Sequence, residues 1–512
     1  MAFALAVAAG GAQAFDRESL VFKKCSRCHA PDANGRLARV EQVRTTPEEW
    51  AVIVDRMRRL HGMTLRTGEM DRLLKELATT QLLTPQEQAA VSYLSLWHNA
   101  QVVEAPADKS EEKFFATCVR CHTAGKIRSY RMTPDAWAKL RDFHLYAIPT
   151  VVFQLREMKW VQEADAVLAQ LAAKLPYGNA WSPPSAKIAG QWRIFGDQPG
   201  RGTFRGEATI ASAGDDPSEY TVSGRIVRAD GATESLSGEA TLYGGYALRT
   251  RTKIDGVPGW GAYIVSGDEI EGESHLPAPD FRTSRAHWLR AGSGPKVARI
   301  VPAFVLSRET TTLTVEGVDL PEVTAKDVAF DEGAVEVIDA KRVADDVIRL
   351  VVRSRAATLA IAKVSIKGID ATAVTLAPRI DGITVTPALG RARLSGGNAY
   401  PAEGVQFQAI AYAKSGAGKS AKRVPLGPVP AKFTLAEEKT RPRDDDLHWL
   451  GTISPNGTYI PVGDYGPNPK RDYTGENSGL VKVVARYQRG DQMYTGSAQL
   501  AVTMPDFIAR LR

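Results

Sequence analysis

The sequence predicts a multidomain protein, with an all-α N-terminal region followed by three all-β domains. Three observations carry that reading. At 512 residues the chain is too long for one ordinary domain. Up to about Tyr177, apolar residues recur at spacings of three and four, in runs such as PEEWAVIVDRMRRL, EMDRLLKELATTQ, PQEQAAVSYLSLW and EADAVLAQLAAKL. That is the period of amphipathic helices. After Trp181-Ser-Pro-Pro-Ser185 the texture changes to short alternating runs broken by Gly, Asp and Asn, the pattern of antiparallel sheets.

Composition sets the outer bounds. A chain 44% hydrophobic and 24% charged is neither wholly disordered nor fibrous. Lys plus Arg at 65 against Asp plus Glu at 58 leaves a net +7, too diffuse to argue nucleic acid as a partner. No apolar run beyond the N-terminus reaches the roughly 18–20 residues of a membrane span.

Taken in order, Met1 to Ala14 (MAFALAVAAGGAQA) is apolar and ends in the small-x-small cleavage pattern Ala12-Gln13-Ala14. It lacks the basic leading segment of a full signal peptide and reads as its remnant, so export to a compartment outside the cytoplasm is expected. Residues 15–183 form the helical region. It contains an internal repeat: Phe22-Lys-Lys-Cys-Ser-Arg-Cys-His29 parallels Phe115-Ala-Thr-Cys-Val-Arg-Cys-His122, and Thr46-Pro-Glu-Glu-Trp-Ala51 parallels Thr133-Pro-Asp-Ala-Trp-Ala138. Both of the latter open a helix, with Thr at the N-cap, Pro at the first helical position and acid in the first turn. Two related halves, 15–105 and 106–183, follow. In the β portion, Ala291-Gly-Ser-Gly-Pro295 and Ala377-Pro378 followed by Asp381-Gly382 are joints. They delimit an antiparallel barrel at 184–295 and two modules, 296–379 and 380–512, with the length and strand pattern of immunoglobulin-like sandwiches.

All four cysteines lie in two motifs, Cys25-Ser-Arg-Cys28-His29 and Cys118-Val-Arg-Cys121-His122. C-x-x-C-H is the attachment signal of c-type haem: both thiols bond the porphyrin, and the histidine becomes the proximal iron ligand. The competing reading is one zinc site built from both pairs. Each pair has its own histidine, and export suits haem attachment, so two covalent haems are expected. For the sixth ligands the repeat helps. Met57 and His144 each stand seven residues after the repeated tryptophan, two helical turns along the same face. Thioether and imidazole are both common axial ligands. His61, Met63 and Met70 are rivals at the first site, and Met132 and Met158 at the second.

The remaining histidines read as structural: His98 at a helix end, and His275, His287 and His448 scattered through the β modules. Lys23, Lys24, Arg27, Arg120, Lys126, Arg128 and Arg131 surround the haem motifs, where a minority could steer an acidic redox partner. The β portion offers no catalytic Ser/His/Asp order and no Gly-rich phosphate loop. No catalytic residue is therefore expected in this chain.

The two C-x-x-C-H motifs, the repeated Thr-Pro-x-x-Trp, Arg141-Asp-Phe-His-Leu145 and the later GVDL and AYPAEG segments together resemble the alpha subunit of quinohemoprotein amine dehydrogenase. The resemblance implies a periplasmic heterotrimer with a propeller-like beta subunit and a small gamma subunit carrying cysteine tryptophylquinone. This chain would accept electrons from that quinone after oxidative deamination of primary amines. A soluble carrier, such as a small cytochrome c or a blue copper protein, would receive them. The alternative is an autonomous dihaem cytochrome, peroxidase-like or a plain carrier, with β docking modules.

Overall fold

Helix starts in the N-terminal region are built by the caps the sequence predicts. The computed structural model describes residues 14–94, 104–147, 151, 153–178, 186–276, 282–397, 401–416, 421–471 and 476–504. The signal remnant up to Gln13, His98 and the Trp181–Ser185 joint lie outside them. The first half contains α1 (Leu20–Cys25), α2 (Pro47–His61), α3 (Glu69–Ala78) and α4 (Pro85–Ala89). The second contains α5 (Lys109–Cys118), α6 (Ala124–Arg128), α7 (Pro134–Asp142) and α8 (Trp160–Lys174). Thr46 Oγ1 accepts the Glu49 amide at 3.2 Å and Thr133 Oγ1 the Ala136 amide at 3.3 Å. Each cap satisfies an amide that the first turn cannot.

The halves repeat in space as well as in sequence. The indole of Trp50 donates to the Gln81 carbonyl (2.8 Å) after α3, and that of Trp137 to the Leu175 carbonyl (3.2 Å) after α8. Both rings are almost fully buried. Two-residue strands β1 (Val43–Arg44) and β2 (Arg131–Met132) pair antiparallel, with Arg44 opposite Arg131. Those arginines hold equivalent places in the repeat, each two residues before its threonine, so a local two-fold axis passes between them. One carboxylate, Glu87, holds both guanidinium groups at 2.9 Å. Within its described residues, 85–94, the expected run PQEQAAVSYLSLW is α-helical over α4 and 3₁₀ over Ser92–Leu94, where the Tyr93 hydroxyl donates to Glu104 at 2.6 Å.

Eight antiparallel strands then close a barrel: β3 (Gly190–Gln198), β4 (Gly202–Ser212), β5 (Glu219–Arg228), β6 (Thr233–Tyr243), β7 (Ala247–Ile254), β8 (Val257–Ser266), β9 (Glu269–His275) and β10 (Thr283–Arg290), with β10 returning to β3. Closure leaves no free edge. Inward residues such as Trp192, Phe204, Tyr263 and Trp288 pack one another inside the barrel. The β6–β7 turn enters the first helical half. Tyr246 and Ala247 are fully buried in the same core as Trp50 and Leu73, and the Tyr246 hydroxyl donates to the Leu83 carbonyl. Gly244 permits this approach. Its φ is +53°, and a Cβ there would lie 2.7 Å from the Ala78 carbonyl oxygen. Lys75–Asp216 (2.7 Å) and Glu48–Arg249 (2.5 Å) ion pairs flank the joint.

Beyond the barrel, strands between Lys296 and Ala377 form two four-stranded sheets around one core that includes Leu313, Ile348, Val364 and Val374. Strands between Gly382 and Thr503 form one four-stranded and two three-stranded sheets around Phe407, Tyr459, Val483 and Leu500. Most pairs are antiparallel, with parallel pairing at Phe304–Leu306 and at Leu389–Arg393. Among the described residues, no helix is long and apolar enough to cross a membrane.

Candidate functional site

Each C-x-x-C-H motif starts on the last residue of a short helix. Cys25 closes α1 and Cys118 closes α5, while Cys28 and Cys121 stand exposed in the following turn. Cys25 packs against the core of the first half and Cys118 against that of the second. The two pairs therefore lie in different cores, an arrangement unlike one shared zinc centre. Burial pushes the Cys25 thiol up to about 11, with Cys28 and Glu76 adding to it, and burial pushes Cys118 up to about 12. The apolar wall beside each cysteine suits a porphyrin ring.

The second half brings its predicted residues together. The His122 and His144 ring centroids lie 6.3 Å apart. Two imidazoles bound to one metal from opposite sides, each at about 2 Å, have centroids roughly 6 Å apart. His144 Nδ1 contacts the Leu140 carbonyl at 2.7 Å and His122 Nδ1 the Thr123 carbonyl at 3.4 Å. Those contacts engage Nδ1 of each ring and leave Nε2 as the atom a metal could use. Burial, followed by Lys126 and His144, lowers the His122 pKa. His144 sits in a single π turn, Phe143–Ala147, that continues α7. Such turns recur at functional sites. Trp160 supports it from the start of α8: its ring lies 6.1 Å from His144, and its indole donates to the Thr117 carbonyl next to Cys118. Met132 belongs to the core of this half, and Met158 packs with Trp160 in a neighbouring cluster.

The first half is less convergent. Burial lowers the His29 pKa, its ring is tied to the Ala38 backbone, and the charges of Arg39 and His61 act on it. Met57 is half-buried on α2. Met63 and Met70 pack against the same cluster as Cys25. The seven-residue offset from tryptophan is shared by Met57 and His144, but the local helix is not. α2 stays α-helical to His61, whereas α7 has given way to the π turn before His144. Equal spacing therefore does not aim the two side chains alike.

Contacts between the halves have no signal in the sequence. Glu49 near the start of α2 accepts from Lys126 (2.5 Å) and from the Tyr130 hydroxyl (2.6 Å). Its charge reaches His122. Arg56 lies over the Phe143 ring at 4.7 Å. The other histidines have structural partners. His275 Nδ1 meets Thr283 Oγ1 at 3.3 Å, His287 Nε2 meets Glu269 at 2.7 Å, and His448 packs edge-on against Trp449. His287 also has Glu271 nearby, giving three ligand-type atoms within 4.8 Å, as do Asp444–Asp446. Both groups are already neutralised, by Lys296 and by Arg441 with Arg471.

Three family profiles match the chain. They are described as "Quinohemoprotein amine dehydrogenase A, alpha subunit, haem binding" over residues 16–181, domain II of that alpha subunit over 185–285, and its domain IV over 383–510. No curated protein matches in sequence. Solved structures with local likeness include a de novo designed fluorescence-activating β-barrel, at 18% identity over 22% of this chain and 99% of that one, TM-score 0.19. Another is SGBP-B of the Bacteroides ovatus mixed-linkage glucan utilization locus, with a mixed-linkage heptasaccharide, at 10% over 48% and 53%, TM-score 0.18. A third is mouse clustered PcdhgC3 EC1-3, at 11% over 48% and 77%, TM-score 0.16. Scores so low carry no argument. The haem-binding match spans both C-x-x-C-H motifs, the other two follow in chain order across the β portion, and the chain belongs to the family of quinohemoprotein amine dehydrogenase alpha subunits.

Proposed function

We propose that this chain is the electron-transfer subunit of a periplasmic amine dehydrogenase and holds two covalent haems c, through Cys25/Cys28 and Cys118/Cys121. When bound, each haem supplies a one-electron redox site. His29 and His122 would be the proximal ligands, with His144 opposite His122 and Met57 opposite His29. His61, Met63 and Met70 are the rivals to Met57 for that position. The reading is supported by one observation: the His122 and His144 ring centroids lie 6.3 Å apart, close to the separation two axial imidazoles need, in one copy of a spatially repeated unit.

Amine oxidation belongs to a partner in this reading. A quinone cross-linked through a thioether needs a cysteine, and all four here sit in C-x-x-C-H motifs. Electrons would arrive from cysteine tryptophylquinone in a gamma subunit, within a heterotrimer that includes a propeller-like beta subunit. They would leave to a small cytochrome c or blue copper protein. The barrel and the two later modules, read as immunoglobulin-like, offer far more surface than electron carriage requires and suit scaffolding.

Native purification followed by separation of the subunits tests this. The isolated chain should retain two haems through acid-acetone extraction and accept electrons from dithionite without oxidising primary amines. Zinc in place of a Soret band, or amine turnover by the chain alone, overturns the proposal.

A further inference from the structure

The repeat allows the two helical halves to be compared position by position, and they part company where each would cover the distal side of its iron. Aligned on Trp50 and Trp137, residues 56–68 read RMRRLHGMTLRTG and residues 143–155 read FHLYAIPTVVFQL. The first stretch has four arginines, a histidine and no acid. The second has no Lys, Arg, Asp or Glu at all. Copies of one unit facing the same medium have no reason to diverge this way.

In space, Arg56 is withdrawn over the Phe143 ring, but the rest of the first stretch faces outward. Arg58 and Arg59 side chains are 46% and 56% exposed, Leu60 is 54% exposed, and His61 and Arg66 are exposed. A hollow of about 360 Å³ opens there, bounded by Asp55, Arg58, Arg59, Met63, Thr64 and Leu65. Met63 and Leu65 line this hollow and pack in the cluster that includes Cys25, and the Thr64 carbonyl accepts from Lys24 Nζ at 3.1 Å beside that cysteine, so this basic surface borders the first C-x-x-C-H motif. Cations at the end of α2 suit its dipole, and both Arg58 (3.1 Å) and Arg59 (2.7 Å) pair with Asp55, so the two arginines leave a net single positive charge there and are accounted for in part. Arg66 and Arg39 lie in loops and need another reason. The counterpart surface is apolar: Tyr146, Phe153 and Leu155 are 83%, 72% and 45% exposed.

Transient electron-transfer encounters bury little area and are steered by charge, whereas apolar faces suit lasting contacts. Resting on the function proposed above, we infer that electrons leave this subunit from its first half, across the surface of Arg58, Arg59, His61 and Arg66, to an acidic soluble redox protein. One electron crosses per encounter: the first iron goes from ferrous to ferric, the carrier's metal is reduced by one, and no bond or proton moves.

The test uses the intact complex, reduced with dithionite and mixed with an acidic plastocyanin-type blue copper protein. Arg58→Glu/Arg59→Glu/Arg66→Glu should slow the bimolecular rate about tenfold or more at low ionic strength, the difference fading as salt screens it. Binding of the zinc-substituted, redox-inactive copper protein, followed by NMR, should weaken in parallel. Lys139→Glu/Arg156→Glu, in the second half, should stay within about twofold of the parent, and a basic cytochrome c should respond with opposite sign. An unchanged rate in the first variant, or an equal loss in the control, overturns the inference. So does an altered haem spectrum with salt dependence intact, since the arginines would then serve haem propionates. The dithionite difference spectrum recorded before mixing reports separately on the underlying reading: if it shows no haem, that reading fails, while the zinc-protein binding still judges the surface.

Discussion

Cysteine and histidine identities carried most of the chemistry legible in the sequence, because C-x-x-C-H fixes its own geometry within five residues. His144 was singled out as well, through its place in the repeat, and its ring lies 6.3 Å from that of His122. Glu49, Glu87 and Trp160 were not. Each acts across separations such as the 77 residues between Glu49 and Lys126, and a lone acid or indole in a helix carries no local sign of its partner. The axial ligands give the prediction at this scale. Thioether ligation raises a haem potential relative to bis-imidazole, so the two haems should titrate as separate one-electron steps. Met57→His should lower one potential and abolish any thioether-to-iron charge-transfer band, while His144→Ala should turn the other haem high-spin. A band surviving in Met57→His would assign the role to Met63 or Met70, both packed beside Cys25.

At the scale of elements, helix starts were readable because Thr-Pro caps are local, and the barrel strands because alternation is local. The π turn after α7 was not, since nothing in Phe143-His-Leu-Tyr-Ala distinguishes it from a continuing helix. It depends on packing against Trp160. The junction of α3 with the barrel was equally silent, because it joins Lys75 to a turn 141 residues away. That junction has a pH signature. The Lys75 ammonium, with help from Ser218, holds the Asp216 carboxyl down to about 2 from an ordinary 3.8. A carboxylate whose folded pKa is depressed stabilises the fold above its unfolded value and loses that contribution as pH falls through the folded one. Asp216→Asn should therefore be less stable than the parent at neutral pH, by roughly 0.5 kcal/mol after solvent screening. The gap should close between about pH 4 and pH 2. Chemical unfolding of both proteins across that range checks it, and a gap that persists at pH 2 would mean the carboxylate is not the source.

For the whole molecule, the order of domains could be read from the change of period near Tyr177, but not the fact that the barrel completes the first helical half. Tyr246 and Ala247 lie within the core around Trp50, Leu73 and Leu77, and Arg249 and Asp216 pair with residues of that same half. The core of the second half draws on its own helices and on Val43. The N-terminal region is therefore not an independent cytochrome. A chain ending at Pro183 would open the socket that Tyr246 fills and leave Glu48 and Lys75 without their barrel partners. Losing a buried aromatic costs roughly 3–5 kcal/mol, which for a region of this size lowers its melting temperature by about 10 °C. The loss should be lopsided: on heating, the first haem should become labile before the second, because the barrel contacts fall on the first half. Tyr246→Ala in the full chain should show the same order of loss with a smaller shift, which keeps the idea testable if the shortened chain does not fold. Thermal unfolding followed through the Soret band and by haem retention distinguishes the outcomes. A shortened chain that melts at the parent's temperature, or that releases the second haem first, would show that the barrel is only tethered to the helical region and does not complete its core.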